Sequence, residues 1–245
     1  MPRILLKVEY LGTHYHGWQR QAGLCSVQGT LEQALQQFLQ EEVTIAAAGR
    51  TDSGVHALGQ MTHFDTTVIR TPKEYVFGLN HFLPADIRVL EAHEVAVDFH
   101  ARFNATYRQY QMRIFNRSVS PSTLVDRVLW HPVPLDVSLM QAGANHLLGE
   151  HDFSSFRGAD CQAKSPVKTL HFCNLQREGN LIIMDIRAGG FLHNMVRNIT
   201  GVLIKVGEAK QSPFWVREVL EAKNREAAAK TVAPGGLYLT EVGYG

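Results

Sequence analysis

Apolar positions recur along this chain with two periods, and the alternation between them lays out its elements. Ile4, Leu6 and Val8 alternate with more polar neighbours and predict a strand over Arg3–Tyr10. Leu31, Ala34, Leu35, Phe38 and Leu39 fall at i, i+3, i+4, i+7 and i+8, the period of one helix face, with Thr30 and Gln33 placed to form a capping box. A short strand is expected over 43–47, an extended segment over 58–65, a proline-opened helix over Pro72–Phe82 and a strand over Ile87–Val95. The second half repeats the mixture. It predicts strands over 106–115, 167–177, Leu181–Ala188 and Leu237–Tyr244, and helices over 136–148, 190–206 and 213–223. Strands joined by both long and short connections, with helices interspersed, predict an α+β fold with a mixed or antiparallel sheet.

Composition narrows the class. Of 245 residues, 45% are hydrophobic and 19% charged, which excludes a disordered, collagen-like or coiled-coil chain. The longest apolar runs fall far short of the ~18 residues of a membrane span, and the first residues lack a secretory apolar core, so the expected place is the cytoplasm. Cys25, Cys161 and Cys173 are odd in number and form no Cys-x-x-Cys, so they read as reduced thiols rather than a disulfide framework or a zinc site. Net charge is only +1, but 16 of the 24 basic residues are arginine, the residue whose planar fork binds phosphate and stacks on bases. Residues 99–117 hold four arginines, five aromatics and no carboxylate. The composition shifts at the start of this stretch, which places a domain boundary there and divides the chain into 1–104 and 105–245.

The densest chemistry lies in Gly49-Arg50-Thr51-Asp52-Ser53-Gly54-Val55-His56-Ala57, between two predicted strands. Glycines supply backbone positions that other residues resist, so such a loop can fix a carboxylate in one orientation. The plain alternative is an Asx-turn in an ordinary connection. Asp52-Ser53-Gly54 also resembles an aspartic protease loop, but those enzymes need two carboxylates sharing a proton, and the motif occurs once here. Glycine-rich phosphate loops, serine elbows and His-Glu-x-x-His are absent. His14-Tyr15-His16 puts two imidazoles on one side of an extended chain with no third ligand at a recognisable interval, so a polar loop pair is the preferred reading and no metal is expected. His151-Asp152-Phe153 is equally well an exposed turn. If 106–115 is a strand, Arg108, Tyr110, Met112 and Ile114 share one face graded from polar to apolar, with Tyr110 either core or a stacking platform for a base. On the helix expected over 190–206, Phe191, Met195, Ile199, Val202 and Val206 form one stripe. Arg197 lies opposite them, on solvated surface or facing a cleft where it could pair with Asp52.

At these residues the sequence resembles the tRNA pseudouridine synthase A family. The likeness is carried by Tyr10-x-Gly12-x-x-Tyr15-x-Gly17-Trp18-Gln19, the loop from Gly49 to Ala57, Ala101-Arg102-Phe103, and His151-Asp152-Phe153 with Phe156. It continues through Phe191-Leu192-His193-Asn194-Met195-Val196-Arg197 and Gly236-Leu237-Tyr238-Leu239. The resemblance implies two α+β domains whose sheets join around a basic cleft, a homodimer, and no cofactor or metal. The implied activity is isomerisation of uridine to pseudouridine in the anticodon stem-loop of tRNA, at positions 38, 39 and/or 40. By resemblance Asp52 is the nucleophile, Arg50 helps extrude the target nucleotide, Tyr110 stacks on the flipped base and Arg197 partners Asp52. Phe99, His100, Ala101, Arg102 and Phe103 match one tRNA-contacting region, and Asp160, Cys161, Gln162, Ala163 and Lys164 match another. Met112 departs from the family, whose members often carry Tyr there. The competing class is a non-catalytic tRNA-binding protein or RNA chaperone on the same scaffold.

Overall fold

The computed structural model describes residues 1–245. Its elements run β1 (Arg3–Tyr10), α1 (Val27–Leu39), β2 (Ala46–Ala47), β3 (His56–Asp65), α2 (Pro72–Phe82), β4 (Ile87–Val95), β5 (Ala105–Asn116) and β6 (Leu129–His131). They continue α3 (Val137–Ala144), β7 (Gly149–Asp152), β8 (Val167–Glu178), β9 (Leu181–Ala188), α4 (Met195–Gly207), α5 (Trp215–Ala222) and β10 (Leu237–Tyr244). The chain divides into two compact units, Met1–Thr106 with Tyr238–Gly245, and Tyr107–Leu237. The last strand, expected with the second half, therefore belongs to the first unit. There Tyr238 and Leu239 pair in parallel with His56 and Ala57. No helix is long and apolar enough to cross a membrane.

In the first unit the strand order is β4-β1-β3-β10, with β2 against β3. β1 is antiparallel to both β3 and β4. Ile4, Leu6 and Val8 are buried, as their alternation requires. Tyr75 of α2 wedges edge-on between Phe38 of α1 and Phe64 of β3, each ring 6.0 Å away, and joins the helices to the sheet. α1 begins a turn earlier than the apolar period indicates. Its cap is Ser26, whose hydroxyl accepts from the Gly29 N–H, and Thr30 donates back to the Ser26 carbonyl instead of capping. α2 keeps its expected bounds because Thr71 and Glu74 form a reciprocal capping box around Pro72, the first helical residue.

In the second unit the order is β5-β9-β8-β7, antiparallel throughout, and β6 lies parallel beside β5. α4 starts at Met195, not at Gly190. Asn194 sits at φ +61°, a left-handed conformation no helix interior accepts, and the Gly189-Gly190 pair disfavours helix before it. Met195, Ile199, Val202, Leu203 and Val206 are buried along α4. α3 packs closely against both α4 and α5 at glycines: a Cβ on Gly207 of α4 would lie 2.8 Å from Met140, and one on Gly143 of α3 would lie 2.9 Å from Val216 of α5. Past α4, the Glu208 carboxylate is nearly buried and pairs with Lys210 at 3.0 Å and Lys205 at 3.4 Å. Each unit is thus α+β with a mostly antiparallel sheet.

Candidate active site

Asp52 stands in the connection between β2 and β3, a segment without regular structure that is held from several sides. The Ala48 N–H donates to the Met61 carbonyl at 2.8 Å, and Gln60 Nε2 donates to the Gly49 carbonyl at 2.8 Å. The hydroxyls of Tyr10 and Thr51 share a buried hydrogen bond of 2.8 Å. Burial pushes the Tyr10 phenol up to about 12, so that hydroxyl keeps its proton at physiological pH. Asp52 opens a tight turn, its carbonyl accepting from the Val55 N–H at 3.1 Å, with Gly54 at φ +77° supplying the left-handed position. The Asp52 side chain is half-buried and Arg50 is exposed.

Residues 12–18 form a strap over this loop. The Trp18 N–H donates to the Thr51 carbonyl at 3.0 Å, while the Tyr15 carbonyl accepts from the Gly54 N–H at 3.4 Å and from Ser53 Oγ at 3.3 Å. Gly17 is at φ +82°, and a Cβ there would lie 2.7 Å from the Thr51 carbonyl oxygen. A Cβ on Gly12 would lie 2.0 Å from the Val55 carbonyl oxygen. Both positions therefore require glycine, sterically at each and conformationally at Gly17. Buried Trp18 packs 5.9 Å from Tyr10, and the Tyr15 hydroxyl donates to Asp86 Oδ1 at 2.7 Å. His14 and His16 are exposed on either side of buried Tyr15, so they are polar loop residues.

Also in the first unit, residues 99–104 fold into a turn with its backbone inside and its chemistry outside. Arg3 pairs with Asp65 through two 2.7 Å hydrogen bonds and donates to the Phe99 carbonyl at 2.7 Å. Ala101 is fully buried; its N–H donates to His63 Nδ1 at 3.1 Å and its carbonyl accepts from the Tyr244 hydroxyl at 2.9 Å. Burial, with the nearby His100 and Arg3, brings His63 down to about 4, so the ring is neutral and free to accept. Phe103 is 76% exposed, stacked 4.3 Å from the His100 ring and 5.7 Å from the exposed Arg102 guanidinium. Phe99 and Ala101 are anchors; His100, Arg102 and Phe103 make an outward cation–aromatic surface.

In the second unit Tyr110 lies on β5 opposite Ile186 of β9, in line with buried Met112 and Ile114. It is 8% exposed, and Phe191 meets it edge-on at 5.1 Å. Phe191 is therefore not part of the α4 stripe but an orienting contact for the Tyr110 ring. Arg197 is half-buried in the first turn of α4, donating from Nε to the Val232 carbonyl at 2.8 Å and from a terminal nitrogen to Asn194 Oδ1 at 2.6 Å. One turn on, Gly201 abuts the Lys230 carbonyl, so this side of the helix is covered rather than solvated. In 160–164, Arg157 ties the Cys161 and Ala163 carbonyls at 2.6 and 3.0 Å, leaving Asp160, Gln162 and Lys164 exposed. Burial opposes ionisation of the Cys161 thiol, but the Ala163 and His193 N–H groups and Arg157 outweigh it and hold the thiol below its usual range.

The sequence family described as tRNA pseudouridine synthase matches residues 7–104 and 144–245. A Pseudomonas aeruginosa protein named tRNA pseudouridine synthase A is 50% identical over 243 residues, 99% of this chain and 85% of its own length. The proteins of that name from Histophilus somni and Coxiella burnetii are 50% and 47% identical, covering 99% and 100% of this chain and 90% and 94% of their own lengths. The chain belongs to the tRNA pseudouridine synthase family.

Family membership gives the strap a meaning its motif alone did not. In the sequence, Gly12, Tyr15, Gly17 and Trp18 mark resemblance; in the structure they clamp the backbone on both sides of Asp52. Tyr10, through Thr51, and His56, whose Nδ1 accepts from the Gly12 N–H at 2.9 Å, add to this clamp, and the linear sequence announces neither contribution. The available signal is the run of glycines and aromatics 34 to 40 residues before the aspartate, but nothing in a linear sequence pairs the two segments. Met112 is fully buried in the second unit.

Proposed function

We infer that this chain is an isomerase converting uridine to pseudouridine in tRNA. The observation that carries the inference is near-complete coverage, at about half identity, by proteins named for that activity. The reaction breaks the C1′–N1 bond, joins C1′ to C5, releases the C5 proton and protonates N1. It conserves oxidation state, so the chain's own side chains can serve without a redox partner.

Asp52 is the proposed nucleophile. A carboxylate can attack ribose C1′ or uracil C6, or stabilise a glycal route, and each requires it to be held in one place. The turn at Gly54 and the overlying strap support that role. Tyr110 is proposed to stack on the everted base, its ring set by Phe191. Exposed Arg50 is proposed to occupy the space the nucleotide leaves, and Arg197 to serve as the cationic partner of the carboxylate. His100, Arg102 and Phe103 are proposed to touch tRNA, supported by their outward stack, with Asp160, Gln162 and Lys164 as a second contact. The anticodon arm as target, a homodimer as the working form and the cytoplasm as its place belong to the same reading.

The test is incubation with tRNA carrying 5-tritiated uridine, followed by mapping of the modified positions. Tritium released to water, with pseudouridine in the anticodon arm, supports the reading. Tight tRNA binding without release contradicts it and leaves the non-catalytic binder.

A further inference from the structure

His56 is the first residue of β3, four positions past Asp52, and it is fully buried. Its Nδ1 accepts the Gly12 N–H at 2.9 Å, so that nitrogen carries no proton and the neutral ring keeps its proton on Nε2. The ring lies 4.6 Å from that of Tyr238, its parallel neighbour on β10, which fixes its plane. Gly12 in turn lies flush on the Val55 carbonyl and opens the strap, whose Tyr15 and Trp18 hold Ser53, Gly54 and Thr51. Without an acceptor at this point, the buried Gly12 N–H is orphaned and the strap loses its origin.

We propose that His56 is a positioning residue for the isomerisation, holding Asp52 through the 12–18 strap. The proposal rests on the reading of Asp52 as nucleophile. It predicts that an acceptor at the Nδ1 position, not an imidazole as such, is what the reaction needs. Asparagine places an amide oxygen there, glutamine reaches only the Nε2 position, and leucine supplies neither.

The experiment compares H56N, H56Q and H56L in the full chain by tritium release and by KM for tRNA. H56N should keep kcat within about threefold, while H56Q and H56L lose between about tenfold and a hundredfold, with KM unchanged within about twofold. Equal activity of H56N and H56Q, or KM rising in step with lost kcat, overturns the proposal. If H56L does not fold, the asparagine–glutamine contrast decides. In the unmutated protein, the Gly12 amide should exchange with deuterium as slowly as the β1–β3 ladder; exchange at the rate of exposed loop amides overturns the bond. An unmutated protein that releases no tritium instead defeats the isomerase reading, so the two failures are distinct.

Discussion

At the scale of single residues, the least replaceable positions around Asp52 are glycines. Gly17 combines a left-handed φ with a neighbour 2.7 Å from any added Cβ, and that neighbour is the carbonyl next to Asp52. Alanine in the left-handed region costs roughly 1–2 kcal/mol before the collision is counted. G17A should therefore lower the melting temperature by roughly 2–8 °C, and further to the extent that the collision is not relieved. Because relief of the clash displaces Thr51, kcat should fall about tenfold to a hundredfold while KM for tRNA moves little. Calorimetry and steady-state kinetics check both; wild-type kcat in G17A would mean that the strap does not set the carboxylate. None of this could be read from the sequence. Glycine announces conformational freedom, but not which backbone lies against it.

At the scale of elements, legibility followed the origin of each boundary. α2 has a local start, the Thr71–Glu74 capping box with Pro72 at its first helical position, and a local stop before Pro84, so its bounds are legible. The helix expected over 190–206 carries its apolar period back into residues that are not helical, because a period reports burial and Phe191 is partly buried against Tyr110 for another reason. The expected strand over 43–47 shrinks to Ala46–Ala47, since only those two residues meet β3 in register. The turn over 99–104 gives the element-scale prediction. His63 must be neutral to accept from Ala101, and its folded-state value of about 4 lies below the ~6.5 of an unfolded histidine. Its contribution is therefore fully present above pH 6.5 and is lost as pH falls from 6.5 toward 4, on the order of 1–3 kcal/mol. Melting temperature against pH should drop over that window in the wild type and less steeply in H63N. Parallel curves would contradict the assignment.

At the scale of the molecule, a net charge of +1 does not say where a basic surface lies, while the proposed tRNA contact puts an exposed arginine on one particular turn. Arg102 is exposed on an anchored turn beside Phe103, so R102A should weaken tRNA binding and reduce the slope of log affinity against log salt by about 1. Filter binding across a salt series checks this, and an unchanged slope would remove Arg102 from the phosphate contacts. The account turns most directly on one carboxylate. In D52N, tritium release from 5-tritiated uridine in tRNA should disappear while tRNA affinity stays within about threefold of wild type, since a transition-state interaction is lost and binding is not. Continued release by D52N at near wild-type rate would contradict the account.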